Sequence, residues 1–238
     1  MEKKEQYVCT VCGYNMVGYL PDNCPFCGAA RKKFITWEEC STRYRVVEIP
    51  VTRNVSRLNS TPRLGIEHAA YRIDTGNRTY WIDCPSCFDR SLAAMDTILF
   101  THFHFLGASN QYREHFSSSV RIHDNDSRFT LCRGFTFDRT FITHFKESGI
   151  EAYHIDGHTP GFTCYFFEDV FFMCDYVFYD QSGMVFNPYG PKSETIEGGF
   201  QMRKLIEGRD INKVCGVDYV RDFSEWLKEF DTLLQEQK

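Results

Sequence analysis

Four cysteines near the start of the chain, and three histidines with one aspartate further along, are the residues whose types and spacing could do chemistry. Cys9 and Cys12 form one C-x-x-C, Cys24 and Cys27 another, and a glycine follows each pair, Gly13 and Gly28. A C-x-x-C turn closed by glycine aims backbone N–H groups at sulfur, and two such knuckles complete a tetrahedral thiolate site. Eleven residues separate Cys12 from Cys24. That is too few for a hydrophobic core, so a metal ion must hold the segment together.

The second set sits at strand ends: "THFH" supplies His102 and His104, "GHTPG" supplies His158, and "CDY" supplies Asp175. Three neutral imidazoles, with or without a carboxylate, satisfy zinc and leave a position for water. Two histidines and one carboxylate on a face suit non-haem iron(II). Both sets can be drawn from these four residues.

The rest of the chain must position these groups. A length of 238 residues with 42% hydrophobic and 16% aromatic content fits one ordinary domain plus a small module and excludes a disordered chain. Net charge is −5 with no basic run, so there is no footprint for a phosphate backbone and no nucleic-acid partner is expected. The start "MEKKEQYVC" has no apolar h-region, and no run of ~18 apolar residues follows. No membrane association is expected, and a cytoplasmic location is. The 11 cysteines are then metal ligands or reduced thiols rather than disulfides. Cys40 is read as a half-buried thiol, and Cys84 and Cys87 of "WIDCPSCFD" as buried or semi-buried thiols.

From Tyr44 onward strands and helices alternate. "YRVVEIPVT" has strand composition, "HAAYRIDTGNRTYWIDC" is a hairpin broken at "TGN", and "MDTILFTH" is a short buried strand ending on the histidines. "SNQYREHF" is a helix with Ser109 as its expected N-cap. "VRIHDND" and "GIEAYHIDGHTPG" are further strands, and "FTCYFFEDVFFMCDYVF" is a hairpin about "ED" that packs Cys174 inward beside Asp175. "EGGFQMRKLIEGRD" is a helix and "NKVCGVDY" a strand. In the last helix Phe223, Leu227, Phe230 and Leu234 share one face. Residues 178–199 are expected to form a structured loop, a lid or pocket wall. Hairpins followed by strands interleaved with helices define an α/β class, two sheets between helix layers.

Two resemblances sharpen this. "CGY", "CPFCGA" and the following Phe34 resemble the rubredoxin-like domain of rubrerythrins over about residues 5–36, which implies iron in the four-cysteine site, with zinc as the alternative. The four strand-end loops, "THFH", "GHTPG", "CDY" and "CGVDYV", resemble the metallo-β-lactamase superfamily over about residues 44–238, which implies the αββα fold. His102 and His104 match the first two positions of that family's H-x-H-x-D-H loop. His158 matches its second-loop histidine and Asp175 its bridging aspartate.

Leu106 and Gly107 stand where the family has the aspartate and last histidine of that loop, and Val217 and Asp218 where it has a C-terminal histidine. The chain thus keeps every ligand of the family's first metal and loses every private ligand of the second. The persulfide dioxygenases of the superfamily place iron on the equivalents of His102, His158 and Asp175, although they retain the full first loop.

The resemblances together imply a rubredoxin-like domain at 1–40 and a metallo-β-lactamase-like domain at 41–238. His102, His104, His158 and Asp175 would be ligands of one iron or zinc and the catalytic residues, acting on a small-molecule substrate. A rubredoxin-type iron beside a mononuclear site implies an oxidoreductase with an electron-transfer partner protein. The alternatives are a zinc hydrolase of esters, lactones or thioesters that uses the module for docking, and a non-catalytic scaffold or redox sensor. Asp83, ahead of the "CPSC" turn, is expected to support the metal loops.

Overall fold

A computed structural model describes residues 4–237; residues 1–3 and 238, the outermost positions of the two domains read from the sequence, lie outside them. The chain packs as two compact units. The first runs to Ile122 and takes in Ser127–Thr140, and the second comprises His123–Asp126 and the chain from Phe141 onward.

The first unit opens with β1 (Gln6–Cys9), β2 (Asn15–Val17) and β3 (Phe34–Thr36), a small antiparallel sheet in the order β2-β1-β3. Thr36 then caps α1 (Trp37–Arg43), its hydroxyl accepting the Glu39 N–H. The larger sheet is built from β4 (Arg45–Pro50), β5 (Val55–Thr61), β6 (Ala70–Asp74), β7 (Thr79–Ile82), β8 (Thr97–Leu99), β9 (Ser119–His123) and β10 (Arg139–Phe141), in the order β10-β9-β8-β7-β6-β5-β4. The "TGN" hairpin is β6–β7, and β8 lies parallel to both β7 and β9.

The expected helix is α2 (Ser109–Phe116), but Ala108 occupies the cap position without a side-chain bond, and Ser109 is its buried first residue. The chain enters this helix through Gly107 at φ +53 and an Ala108 N–H donated to the Pro85 carbonyl at 2.9 Å. Those two constraints set the start without a hydroxyl cap.

After the single turn α3 (Asp124–Ser127), the second unit contains β11 (Phe145–Glu147), β12 (Ile150–His154), β13 (Thr163–Phe167), β14 (Val170–Cys174), β15 (Val177–Asp180), β16 (Gly183–Phe186), α4 (Lys192–Ile206), β17 (Lys213–Gly216), β18 (Val220–Asp222) and α5 (Phe223–Gln235). Its six-stranded sheet runs β11-β12-β13-β14-β17-β18, with β15 and β16 a separate hairpin. The region read as a lid or pocket wall is therefore this hairpin and the first half of α4.

Trp226, Phe230, Met202 and Ile206 of the helices pack with Phe171, Met173 and Tyr176 in one apolar cluster. The buried face of α5 is turned from the expected one: Trp226, Phe230, Leu233 and Leu234 are buried, while Phe223 and Leu227 are only half-buried. Stacking of Trp226 on Phe230, ring centroids 4.6 Å apart, pulls the helix round. The mixed α/β class expected from the sequence is present in both units. Among the described residues no helix is long and apolar enough to cross a membrane.

Candidate metal centres

The two C-x-x-C segments converge within the first unit, and the ligand atoms of Cys9, Cys12, Cys24 and Cys27 all lie within 4.8 Å of one another. Gly13 and Gly28 adopt φ +82 and φ +73 and return their N–H groups to the Cys9 and Cys24 carbonyls. Only glycine takes that conformation without cost. The N–H groups of Val11 and Cys12 point at the Cys9 sulfur and favour its thiolate. Those of Phe26 and Cys27 point at the Cys24 sulfur, but against Cys12 and these amides the Cys9 sulfur and burial push that thiol up to about 11.

The Cys9–Cys27 and Cys12–Cys24 sulfurs are 3.8 and 3.7 Å apart. A tetrahedral ion with metal–sulfur bonds of about 2.3 Å separates its sulfurs by about 3.8 Å, so the residues fit such an ion. Without a cation Cys9 and Cys12 are driven in opposite directions. Hydrogen bonds from Cys12 and Cys24 pull the Cys9 thiol down to about 2, while crowding by Cys24 and then Cys9 drives Cys12 far up.

The histidine set divides between the units. In the first, "TILFTHFHF" leaves β8 with His102 fully buried and His104 half-buried, ring centroids 4.8 Å apart and nearly perpendicular. Asp83, at φ +60, accepts hydrogen bonds from the Thr101 N–H at 2.9 Å and from the Thr101 hydroxyl at 2.9 Å. The same Thr101 Oγ1 lies 2.9 Å from His102 Nδ1. A hydroxyl that donates to a carboxylate can only accept from the imidazole. Nδ1 therefore carries the proton, and Nε2 is the nitrogen whose lone pair suits a metal. This is the supporting position expected for Asp83.

In the second unit His158 follows β12 and Asp175 follows β14. Asp126 fastens the "GHTPG" loop, accepting from the Thr159 hydroxyl at 2.8 Å and the Gly161 N–H at 2.7 Å. Cys174 is buried at φ +45, the bend that ends β14 just before Asp175. His158 Nε2 and Asp175 Oδ2 stand 3.5 Å apart. That is long for a hydrogen bond and close to the ~3.4 Å between two ligands about 2.1 Å from one tetrahedral ion. The donor chemistry and this spacing fit a metal.

Asn187, just after β16, donates through Nδ2 to Asp175 Oδ2 at 2.9 Å and to the Asp175 carbonyl at 2.9 Å. No motif marks Asn187; its only signal in the sequence is its place in the stretch read as a pocket wall. His68 is also brought in, its ring 5.8 Å from His102 and 3.8 Å from Phe105. The sequence offered no spacing that would single it out.

Cys84 and Cys87 are both buried thiols, as expected. Burial pushes Cys84 well up, and its sulfur faces the Pro85 carbonyl. Cys87 packs with Cys40, Val8 and Leu64, its sulfur 3.4 Å from the Tyr44 carbonyl. Cys40, expected half-buried, is fully buried because α1 lies over that cluster.

Residues 7–35 match the family described as "Rubrerythrin, rubredoxin-like domain". No curated protein matches the chain in sequence. The fold is similar to solved metallo-β-lactamases. TMB-1 aligns with a TM-score of 0.64 at 13% identity, covering 81% of this chain and 98% of its own. The metallo-β-lactamase from Pontibacter korlensis gives 0.63 at 14%, covering 81% and 100%. That from Erythrobacter litoralis gives 0.63 at 12%, covering 81% and 97%. The chain therefore joins a rubredoxin-like module to a metallo-β-lactamase fold, and a four-cysteine group and a His-rich group are among the sets of its described residues that could hold metal ions.

Proposed function

We propose that the chain is an iron-dependent oxidoreductase with a mononuclear non-haem centre, for which His102, His104, His158 and Asp175 are the candidate ligands. Cys9, Cys12, Cys24 and Cys27 would hold a second iron, which would supply one-electron chemistry shared with an external carrier protein. His102, His158 and Asp175 are the two-histidine, one-carboxylate set that suits iron(II), and His104 is the fourth ligand or a hydrogen-bonding neighbour. Thr101 and Asp83 hold the His102 tautomer, and Asn187 holds the Asp175 carboxylate. A small-molecule substrate completes the reading.

The observation that carries it is the contact between module and histidine loop. Phe26, inside the second knuckle, has its ring 6.1 Å from that of His104 and 4.5 Å from that of Phe105. A hydrolase has no use for an electron donor at that distance from its ligands. Cys27 is exposed, which gives an electron carrier access to the thiolate centre.

A second reading, a zinc hydrolase, is favoured by the likeness to metallo-β-lactamases. It is weakened by Leu106, which is buried in the apolar core and offers no acceptor to orient an attacking water. The deciding measurement is metal analysis of protein purified without added metal, together with a one-electron reductive titration. Two irons per chain, falling to one in His158→Ala, supports the oxidoreductase. Zinc at the His-rich set sinks it.

A further inference from the structure

Within the first unit, the segment that follows His104 is not a vacant ligand loop. Phe105 is buried in one cluster with Cys9, Cys12, Tyr14, Met16 and Cys24. Its ring meets Phe26 edge-on at 4.5 Å and lies over His68 at 3.8 Å. Leu106 enters the core under the sheet. At Gly107, a Cβ would fall 2.4 Å from each of the Cys84 and Pro85 carbonyl oxygens, so the chain is pressed against that turn with no room for a side chain.

The Gly107 carbonyl is also bound by the module. Gln6 of β1 donates through Nε2 to the Gly107 carbonyl at 3.1 Å and to Asn15 Oδ1 at 2.7 Å, and its Oε1 accepts from Gln111 Nε2 at 2.9 Å. Asn15 passes the chain on to the Ser86 carbonyl at 3.2 Å. All of these groups are buried. Gln6 and Asn15 thereby tie β1, β2, Gly107 and the Ser86 turn together, while Gln111 Oε1 in the same network makes no bond.

We propose that Phe105 and Gly107 dock the four-cysteine module onto the histidine loop, so that a metal ion on the thiolates fixes the positions of His102 and His104 and must load before the His-rich set binds its ion tightly. This rests on the reading that those histidines hold a metal. Phe105 acts as a positioning residue: it touches the module on one side and adjoins His104 in the chain on the other. The knuckle is shaped by its ion, since the segment has no adequate core of its own. A collapsed knuckle withdraws Phe26, Tyr14 and the β1–β2 amides from the loop. The coupling is reciprocal, so an ion at the histidines also tightens the thiolate site.

Cobalt(II) is the probe, added to the full-length metal-free chain, with thiolate-to-metal absorption reporting the four-cysteine site and the weaker visible bands the His-rich one. In Phe105→Ala the thiolate absorption should form as in the parent, while the second cobalt binds about 10–100-fold more weakly. Phe26→Leu, a smaller change on the half-buried face of the knuckle, should shift it in the same direction and serves if Phe105→Ala does not fold.

Hydrogen exchange over residues 102–108 gives an arm independent of the second ion. It should speed up when cobalt is withheld from the thiolates, and in Phe105→Ala even with cobalt there. Unchanged exchange in both cases, or an unchanged second affinity in the variants, overturns the proposal. A parent protein that binds no second cobalt but shows the exchange change removes the metal reading of the histidines and leaves the docking in place.

Discussion

All four thiolates of the rubredoxin-like site come from the stretch between Cys9 and Cys27, inside one compact unit, and two glycine-closed turns aim them. His102, His104, His158 and Asp175 are spread over two sheets and belong to different units. The first site is made by local backbone geometry and its ion. The donors of the second stand where strands end, each held by the core of its own unit. A ligand change in the first site should therefore act on folding of the module, and one in the second on affinity and chemistry.

The largest effect expected from this contrast is at Cys24. Apparent binding energies of about 10–16 kcal/mol are typical of structural thiolate sites, and they are folding energy for the segment. Cys24→Ser should abolish metal binding by the module and the thiolate-to-metal absorption, and residues 7–35 should lose protection from hydrogen exchange. Circular dichroism of the remaining sheets should survive. Retention of metal with only a weakened affinity would mean that the module holds its shape through docking alone.

A middle-sized effect is expected one step behind the second site. Asp83 sits at φ +60, a conformation asparagine tolerates well, so Asp83→Asn tests the hydrogen bond without straining the backbone. Its amide no longer compels the Thr101 hydroxyl to accept from His102 Nδ1. Metal affinity at the His-rich set should fall about 10–100-fold, as for other groups that orient a ligand. Thr101→Val should do the same, and neither should change the thiolate-to-metal absorption. Equal loss at both sites would mean that Asp83 supports the fold of the first unit rather than the tautomer of one histidine.

What could be read in the sequence follows the same division. The four-cysteine site was legible because its information is local: spacing, two glycines and a segment too short for a core. His102, His104, His158 and Asp175 stood out because each ends an apolar strand in a distinctive loop. Asn187, His68 and Gln6 did not, since each reaches its partner through tertiary packing that no short spacing encodes. Leu106 and Gly107 showed as missing ligands; that Leu106 fills the core and that the Gly107 carbonyl accepts from Gln6 are visible only in the folded chain. β5, "VSRLNST", has too many polar residues to announce a strand, and its pairing with β4 and β6 decides the matter. The face of α5 was displaced because a fully buried Trp226 outweighs the half-buried Phe223 and Leu227.

The smallest expected effect concerns how far the dispersed site leans on the stability of its own sheet. Glu151 on β12, three residues before the end of the strand that leads to His158, bonds Lys146 at 2.7 Å and Arg209 at 3.0 Å. Arg209 in turn lies over the Phe166 ring at 4.2 Å. Lys146 first, then Arg209, hold the Glu151 carboxyl down to about 2 from an ordinary 4.5. The depressed value means the contribution is complete above pH 4.5 and is lost as pH falls toward 2. Because the cluster is partly solvated, its worth is at most about 1 kcal/mol. In urea melts of metal-stripped protein, so that acid-driven release of a histidine-bound ion does not intrude, Glu151→Gln should be slightly less stable than the parent at neutral pH. The two should converge as acid removes the same charge from the parent. A difference that persists undiminished at low pH would place the role of Glu151 in packing rather than in charge, and the sheet behind His158 and Asp175 would then owe nothing to this ion pair.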